Sequence, residues 1–210
     1  MCVNPQDYWF RKHTKYLSED WITKPTIFAT EIVRYLPKSG KLLELSCGQG
    51  QDTLYFLSLG YEVTATDFSQ FALDQIKDER IVKRSVDLSN KLSFAHDSFD
   101  VIYCHLGMGY FTNDRTQKIL DEVFEILTPD GVFLGLFNST EDPETKVGET
   151  LEKDYYLVDG ISKRYFSIDS IRDYANKFEI LLSDNKGTTH KDSAKGVKNL
   201  IRFVGRKVVV

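Results

Sequence analysis

The sequence predicts an α/β fold: a doubly wound, mostly parallel seven-stranded sheet with helices on both faces and a C-terminal antiparallel strand hairpin. Strand and helix patterns alternate from residue 41 to about residue 177, and such alternation produces parallel strands joined by crossover helices. The last two strand patterns, residues 178–183 and 199–205, have no helical pattern between them. We therefore expect them to pair antiparallel, with one antiparallel strand at or near the sheet edge.

The individual elements follow from short-range patterns. Buried or β-branched runs predict five further strands, at residues 42–45, 61–67, 81–86, 99–104 and 132–138. Helical patterns span residues 25–36, 52–59 and 69–77, and two more helices begin after Thr112 and Ser167. In the first helix Phe28, Ile32 and Leu36 recur on one face, and Ser69, Thr112 and Ser167 are favoured N-cap residues.

Composition limits the classes of function. The chain has 210 residues, a net charge of -4 and 41% hydrophobic residues, which is typical of one globular domain. The acidic balance disfavours nucleic acid as a substrate, because phosphate binding needs a basic face. The lysines at 186, 191, 195 and 198 are interpreted as a solvated loop. No signal peptide or membrane span is predicted. Three widely spaced cysteines and four scattered histidines predict no disulfide framework and no metal site. A cytoplasmic location is expected.

The stretch LLELSCGQGQD, residues 42–52, is a strand followed by a small-residue turn. Gly48 and Gly50 allow close approach of backbone N–H groups to a ligand. A phosphate-binding P-loop would require Lys-Ser or Lys-Thr after the turn, and a dinucleotide fingerprint would require a third glycine where Thr53 stands. The turn alone therefore leaves a ligand-binding role and a purely structural role open.

Two acidic residues follow the next two strands. Asp67 lies seventeen residues beyond Gly50, where a carboxylate can accept hydrogen bonds from both ribose hydroxyls. Its alternative role is to stabilise a helix N-terminus; Ser69 is the better cap, so Asp67 is expected to be free for a ligand. Asp87 can accept from an exocyclic amine such as adenine N6, although a loop acid is often simply solvated.

These features together resemble the class I, Rossmann-like S-adenosylmethionine-dependent methyltransferases. LLELSCGQGQDTLYFLSLGYEVTATDFS resembles the first two motifs of that family, RSVDL the third, FDVIYCHLGMGYF the fourth and ILTPDGVFLGLFN the fifth. The resemblance covers roughly residues 40–140. One departure is Ser46, which stands where the family usually has glycine and brings a Cβ and a hydroxyl close to the ligand.

The resemblance implies S-adenosyl-L-methionine as the cofactor and a set of residues that bind it. The implied cofactor-binding residues are Glu44, Ser46, Cys47, Gly48, Asp67, Phe68, Asp87, Leu88 and Cys104. The first four would surround the methionine part. Asp67 would bind the ribose, Phe68 would pack on the adenine, and Asp87 and the Leu88 N–H would face the adenine edge. Cys104 and His105 would lie under the methionine and the sulfonium.

The flanking segments predict the substrate side of a single domain. Residues 1–40 are expected to form an N-terminal helical cap, residues 41–140 the cofactor-binding core, and residues 141–210 a substrate-side segment with the C-terminal strands. The aromatic-rich segment 7–21 is expected either to cover the cofactor or to pack on the sheet edge. Residues 147–175 loosely resemble tellurite-resistance and thiol-type small-molecule methyltransferases, in which the KRYFS segment closes over the pocket. Substrate-side residues are predicted to be Trp21, Tyr110, Arg164 and Tyr165.

The predicted function is methyl transfer to a small-molecule acceptor by in-line displacement. Positioning and water exclusion can supply most of the rate, because the leaving group is already activated. A hydroxyl or amine acceptor needs a base, for which His105 and, more weakly, Tyr110 and Tyr165 are candidates; the alternative for His105 is to shape the pocket. An NAD(P)-type Rossmann oxidoreductase and a cofactor-binding protein without catalysis remain alternatives. The sequence leaves monomer and homodimer open.

Overall fold

A computed structural model describes residues 3–190 and 199–208 of the chain. Its main sheet has seven strands in the order β3-β2-β1-β4-β5-β10-β9. The bounds of these strands are β1 Lys41–Leu45, β2 Glu62–Asp67, β3 Val82–Ser85, β4 Phe99–His105, β5 Leu127–Phe137, β9 Phe178–Gly187 and β10 Leu200–Lys207. The predicted doubly wound sheet is confirmed.

The helices connect the strands on both sides of this sheet. Their bounds are α1 Pro5–Tyr16, α2 Ile27–Glu31, α3 Gln51–Ser58, α4 Gln70–Leu73, α5 Asn113–Ile126 and α6 Ile168–Tyr174, with short 3-10 turns at Val33–Tyr35 and Pro143–Lys146. The three predicted N-caps are confirmed, since the hydroxyls of Ser69, Thr112 and Ser167 each accept a backbone N–H of the first turn.

The direction of the strands places the carboxyl ends of β1, β2 and β4 at one edge. β1 pairs in parallel with β2 and β4, and β2 with β3. β10 runs antiparallel to both β5 and β9, so the antiparallel strand is second from the edge, as the hairpin pattern predicted. Lys186 lies within β9, whereas the other three lysines of that group fall outside the described residues.

The core is divided by the sheet into two layers. Leu43 and Leu45 of β1 pack in the layer that contains α5 and α6, whereas Leu42 packs in the layer that contains α2 and α3. Neighbouring side chains of a strand point to opposite faces. Burial of Leu42, Leu43 and Leu45 therefore requires helices on both sides, which is why the strand reads as a continuous apolar run.

The helix predicted over residues 25–36 is wrong as a single element. The α-helix ends at Glu31, and a 3-10 turn follows at residues 33–35. The sequence Ile32-Val33 places two β-branched residues of low helix propensity together at the break. Phe28 and Ile32 are nevertheless buried, as their spacing predicted. The helix after Ser69 also ends early, at Leu73, and continues only as hydrogen-bonded turns to Ile76.

A second, three-stranded antiparallel sheet lies in the predicted substrate-side segment, where no strand was predicted before residue 178. Its strands are β6 Glu149–Glu152, β7 Tyr155–Val158 and β8 Ile161–Arg164. The turn between β7 and β8 is Asp159-Gly160, and both residues have positive φ, 52° and 78°. Asp-Gly between apolar runs is a strong hairpin signal, so the sequence did contain the information that predicts this hairpin.

Candidate functional site

A cavity of about 790 Å³ opens at the carboxyl ends of β1, β2 and β4. Its floor and sides come from the sheet edge and the loops that follow these strands. The sheet-edge residues that line it are Glu44, Ser46, Cys47, Gly48, Gln49, Asp67, Phe68, Asp87, Leu88, His105, Tyr110 and Phe111. Most of the residues predicted from the motifs are therefore brought together around one space.

The turn after β1 is held in left-handed backbone conformations. Ser46, Gly48 and Gly50 have φ values of 57°, 55° and 83°, and the Cys47 N–H donates to the Thr66 carbonyl at 2.8 Å. The serine is tolerated because residue 107 opposite is glycine: a Cβ there would lie only 2.5 Å from the Ser46 Oγ. The left-handed region costs a non-glycine residue about 1–2 kcal/mol, so Ser46 carries local strain.

Asp67, at the end of β2, is tied to the glycine turn. One carboxylate oxygen accepts from the Gly48 N–H at 2.9 Å, and the other accepts from the Ser69 N–H at 2.8 Å. The expectation that Asp67 is free was wrong, because the turn and the next helix both need an acceptor there. Each oxygen keeps further acceptor capacity. Burial raises the pKa of Asp67, and the N–H groups of Ser69 and Gly48 oppose that shift.

Glu44 lies on the floor of the cavity and is almost fully buried. Its Oε2 accepts from the Thr53 hydroxyl at 2.5 Å. Burial raises the pKa of Glu44 well above its ordinary value, and the nearby charges of Asp52 and Asp67 act in the same direction. Loss of hydration penalises the charged form of a carboxyl group, so the floor favours a protonated Glu44 or a ligand with positive charge.

The third strand supplies the two residues that the RSVDL motif predicted. Asp87 is exposed at the rim of the cavity, and its Oδ1 accepts from the Ser89 N–H at 2.8 Å. Leu88 is buried, and its carbonyl accepts from the Arg115 guanidinium at 2.7 Å. Arg115 is also paired with Glu122 within α5, and its bond to the Leu88 carbonyl holds this loop against α5.

The two cysteines of the site are packing residues. Cys47 packs against Ala65, Leu73 and Ile76, and burial raises the pKa of its thiol well above the usual value. Cys104, predicted among the cofactor-binding residues, does not line the cavity. It is buried in the core beneath Gly107, with its pKa raised to about 12 by burial, because side chains alternate along β4 and its neighbour His105 faces the cavity instead.

His105 and Tyr110 both line the cavity. His105 is the last residue of β4, and its Nε2 is buried. Burial raises the pKa of Tyr110 above its usual value, so its phenol stays protonated at neutral pH. His105 is therefore the better placed of the two for accepting a proton.

The N-terminal segment lies over the cavity. Trp9, His13 and Tyr16 of α1, together with Trp21, line it from above. The helix is joined to the glycine turn by the Gln49 side chain, whose Nε2 donates to the His13 carbonyl at 3.0 Å. Residues of segment 7–21 therefore border the cavity; that they cover a bound cofactor stays a prediction.

Arg164 and Tyr165, predicted on the substrate side, do not line the cavity. The Arg164 guanidinium is buried and donates to the Phe111 carbonyl at 2.8 Å and to Glu152 at 2.6 Å. The Tyr165 hydroxyl donates to Glu144 at 2.8 Å. Arg164 therefore holds the small sheet against the loop that contains Phe111, whereas Tyr165 is bonded to the 3-10 turn Pro143–Lys146.

A buried polar network links the cap to the sheet edge and was not predicted. Both oxygens of Asp52 accept from Thr26, from its N–H at 2.7 Å and its hydroxyl at 2.8 Å. The Tyr103 hydroxyl also donates to Asp52, at 2.7 Å. Thr26 and Tyr103 are far from Asp52 in sequence and belong to no local motif, so only the folded chain brings them together.

The loop after β9 also reaches the cavity. Thr189 and His190 line it, and the His190 Nε2 lies 2.9 Å from the Pro25 carbonyl. No pattern in the sequence predicts this contact. Over residues 3–190 and 199–208, no cluster of three or more potential ligand side chains could hold a metal ion, and no helix is long and apolar enough to cross a membrane.

Parts of this chain are similar in sequence to known methyltransferases. Residues 42–131 match the family described as methyltransferase domain. An uncharacterized methyltransferase of Synechocystis sp. is 32% identical over 94 residues, 44% of this chain and 44% of that protein. A probable S-adenosyl-L-methionine-dependent methyltransferase, TehB, of Haemophilus influenzae is 22% identical over 170 residues, 78% of this chain and 54% of that protein.

A solved structure extends the likeness over the whole fold. It is the 1,6-didemethyltoxoflavin-N1-methyltransferase of Burkholderia thailandensis, with bound 1,6-didemethyltoxoflavin and S-adenosylhomocysteine; it has a TM-score of 0.70 at 19% identity and covers 100% of this chain and 92% of that one. The matches span about half the length of the two curated relatives. The match of residues 42–131 to a methyltransferase domain, the named relatives and the shared fold together support a methyltransferase domain of the class I S-adenosylmethionine-dependent type.

Proposed function

We propose that the chain binds S-adenosyl-L-methionine in the cavity and transfers its methyl group to a small-molecule acceptor. The observation that carries this proposal is the convergence of Glu44, the glycine turn, Asp67 and Asp87 on one cavity at the strand ends. Its volume, about 790 Å³, lies near the upper end of the range for ligand pockets, and so leaves room for a second small molecule beside a nucleoside.

The polar groups of the cavity fit this cofactor. Glu44, Asp67 and Asp87 present carboxyl groups. The Gln49 Oε1 is buried and has no hydrogen-bond partner among the described residues, while the Nε2 of the same amide donates to the His13 carbonyl. The site is therefore rich in hydrogen-bond acceptors. S-adenosylmethionine offers complementary groups: two ribose hydroxyls, an adenine amine, an ammonium group and a positively charged sulfur.

Each part of the cofactor has a candidate partner. Asp67 would accept from the ribose hydroxyls with the lone pairs that its backbone contacts leave. Phe68 would pack on the adenine, Asp87 would accept from its amine, and the Leu88 backbone would face its ring edge. The group Glu44, Ser46, Cys47 and Gly48 would hold the amino-acid tail, with Gly48 presenting bare backbone.

The chain's own residues would orient the reactants, exclude water from the cavity and accept a proton. When bound, the cofactor supplies an electrophilic methyl group on a sulfonium. α1 covers the cavity and excludes water, and the ends of the strands orient the reacting groups, which is the larger part of such catalysis. His105 is placed to accept the proton of a hydroxyl or amine acceptor. Burial keeps the proton on the Tyr110 phenol, so Tyr110 would not act as the base.

A small acceptor suits the covered cavity. Trp9, Tyr16 and Trp21 lie across its upper side, which favours a compact molecule over a macromolecular chain. The Burkholderia neighbour, whose fold is similar, holds a small-molecule acceptor beside the product form of the cofactor.

Calorimetric titration tests the cofactor assignment. S-adenosylmethionine and S-adenosylhomocysteine are titrated into separate samples, and NAD into a third. We expect binding of the first two and none of NAD; binding of NAD alone would overturn the proposal. A panel of small thiols, amines and phenols is then assayed for release of S-adenosylhomocysteine. Cofactor binding without turnover of any of them would favour a non-catalytic cofactor-binding protein.

A further inference from the structure

Five rings form a continuous surface along the cavity, four of them from the N-terminal segment and one from the loop after β4. We call this surface the aromatic wall; it consists of Tyr110, Trp9, His13, Tyr16 and Trp21, all of which line the cavity. Each ring touches the next: the centroids of Tyr110 and Trp9 are 5.4 Å apart, those of Trp9 and His13 5.6 Å, those of His13 and Tyr16 6.1 Å, and those of Tyr16 and Trp21 5.1 Å.

Three of the four ring pairs are set at steep angles. The interplanar angles are 88° for Trp9 and Tyr110, 88° for His13 and Tyr16, and 66° for Tyr16 and Trp21, whereas Trp9 and His13 are tilted by 34°. Such a surface presents both ring faces and ring edges to one volume. The faces of tyrosine and tryptophan rings carry negative potential and attract cations within about 6 Å of the ring centre. Burial raises the pKa values of Tyr16 and Tyr110, so both phenols remain neutral.

Carboxyl groups line the same cavity. They belong to Glu44, Asp52, Asp67 and Asp87, and the described residues that line the cavity include no lysine and no arginine. The buried Gln49 Oε1 contributes a further acceptor. The carboxyl groups that are ionised repel anions from the space they share with the aromatic wall, and a nearby cation would favour the ionised form of the buried Glu44. The cavity therefore combines ring faces with carboxyl groups.

We propose that the aromatic wall is the acceptor subsite and that it selects a compact molecule with an ammonium group over a neutral or anionic molecule of the same shape. This inference rests on the proposed function, since the cofactor is taken to occupy the sheet-edge half of the cavity. The N-terminal cap would then select the acceptor molecule as well as exclude water from the cavity.

Intrinsic fluorescence gives a direct measurement of binding at the aromatic wall. The chain has two tryptophans, Trp9 and Trp21, and both line the cavity. The protein is first saturated with S-adenosylhomocysteine, and calorimetry is used to measure this binding. Three probes of equal shape are then titrated: choline, the neutral 3,3-dimethylbutan-1-ol and the anionic 3,3-dimethylbutanoate. We expect choline to bind roughly tenfold more tightly than the alcohol, and the anion to bind most weakly.

Matched variants test whether the rings cause this order. Tyr16→Leu removes a ring and should reduce the choline-to-alcohol preference by roughly threefold or more, whereas Tyr16→Phe keeps the ring and should retain the preference. Phe10→Leu is the control, because Phe10 is on the same helix but packs on Phe71 outside the cavity. Binding of S-adenosylhomocysteine by each variant shows that it is folded.

The outcomes separate the two proposals. If S-adenosylhomocysteine does not bind the wild-type protein, the proposed function fails and this inference fails with it. Three other outcomes overturn only the acceptor inference, provided that S-adenosylhomocysteine binds. In the first, choline and the alcohol bind equally tightly. In the second the anion binds best, and in the third none of the probes changes the fluorescence. Retention of the full preference in Tyr16→Leu would likewise overturn it.

Discussion

The sheet edge and the cap enclose the same cavity with different kinds of contact. At the edge, Asp67 ties two backbone N–H groups together, and the Cys47 N–H is paired with the β2 backbone. In the cap, α1 is joined to the glycine turn by the Gln49 amide and otherwise meets its surroundings largely through aromatic rings. Backbone bonds fix position within a few tenths of an ångström, whereas ring contacts tolerate changes of shape.

Under the proposed function, this difference would separate two tasks of the site. The cofactor would be held by the edge, whose acceptors are fixed by backbone bonds. The methyl acceptor would be held by the cap, whose surface consists of side chains. One buried network, formed by Thr26, Asp52 and Tyr103, couples the two regions. Substitutions in that network or at the sheet edge test whether the two regions differ in this way.

Asp52→Ala should have the largest effect. It leaves the Thr26 N–H and one of the two hydroxyls of Thr26 and Tyr103 without a buried acceptor, since these hydroxyls lie 3.0 Å apart and can bond only to each other. We expect the free energy of unfolding to fall by about 3–5 kcal/mol. Urea unfolding measures this. Asp74→Ala, at an exposed carboxylate of the turn that ends α4, is the control and should change stability by less than about 0.5 kcal/mol. Equal effects of the two substitutions would show that the network does not couple cap and edge.

Glu44→Gln should change how stability depends on pH. The folded-state pKa of Glu44 is raised well above 4.5, so the folded protein holds this proton more tightly than the unfolded chain does. The cost of ionising Glu44 is absent below about pH 4.5 and grows as the pH rises above it, by at most about 1.4 kcal/mol per pH unit. The glutamine side chain of the variant does not titrate, so wild type should lose stability relative to Glu44→Gln on going from about pH 4.5 to about pH 8. A pH-independent difference in unfolding free energy would contradict the assignment of a desolvated carboxyl group to the edge.

Asp67→Ala should weaken cofactor binding by about 1–3 kcal/mol, because ribose hydrogen bonds are lost and the Gly48 N–H loses its acceptor. Calorimetric titration with S-adenosylhomocysteine measures the change. The control is Asp78→Ala, at a carboxylate that pairs with Arg80 outside the cavity. Wild-type affinity in Asp67→Ala would mean that the edge does not hold the ribose.

Ser46→Gly should have the smallest effect and should stabilise the protein. Glycine removes the strain of the left-handed backbone at φ 57°. It also makes the unfolded chain more flexible, which costs conformational entropy on folding. The net increase in the free energy of unfolding should be about 0.5–1 kcal/mol. Asp159→Gly on the β7–β8 turn, where φ is 52°, is the matched control; aspartate tolerates this region better, so the gain there should be smaller. A loss of stability in Ser46→Gly would show that the serine hydroxyl makes a contact worth more than the strain.

The motifs predicted the edge well because its residues are close in sequence to the strand ends that position them. Ser46, Gly48, Asp67 and Asp87 all line the cavity. Cys104 was assigned to the wrong face of β4, since a shift of one residue along a strand exchanges core and cavity. Arg164 and Tyr165 were assigned to the cavity from the looser resemblance, and they instead bond to carboxylates outside the cavity.

By itself the sequence determined the alternation of strands and helices, the antiparallel end of the sheet and the acidic residues at successive strand ends, because each is a local pattern of one element. Only the tertiary structure decided that α1 covers the cavity, that Thr26 and Tyr103 meet at Asp52, and that Ser46 fits against Gly107. These contacts join residues that are remote along the chain. Their geometry depends on how whole elements pack, and no local propensity encodes it.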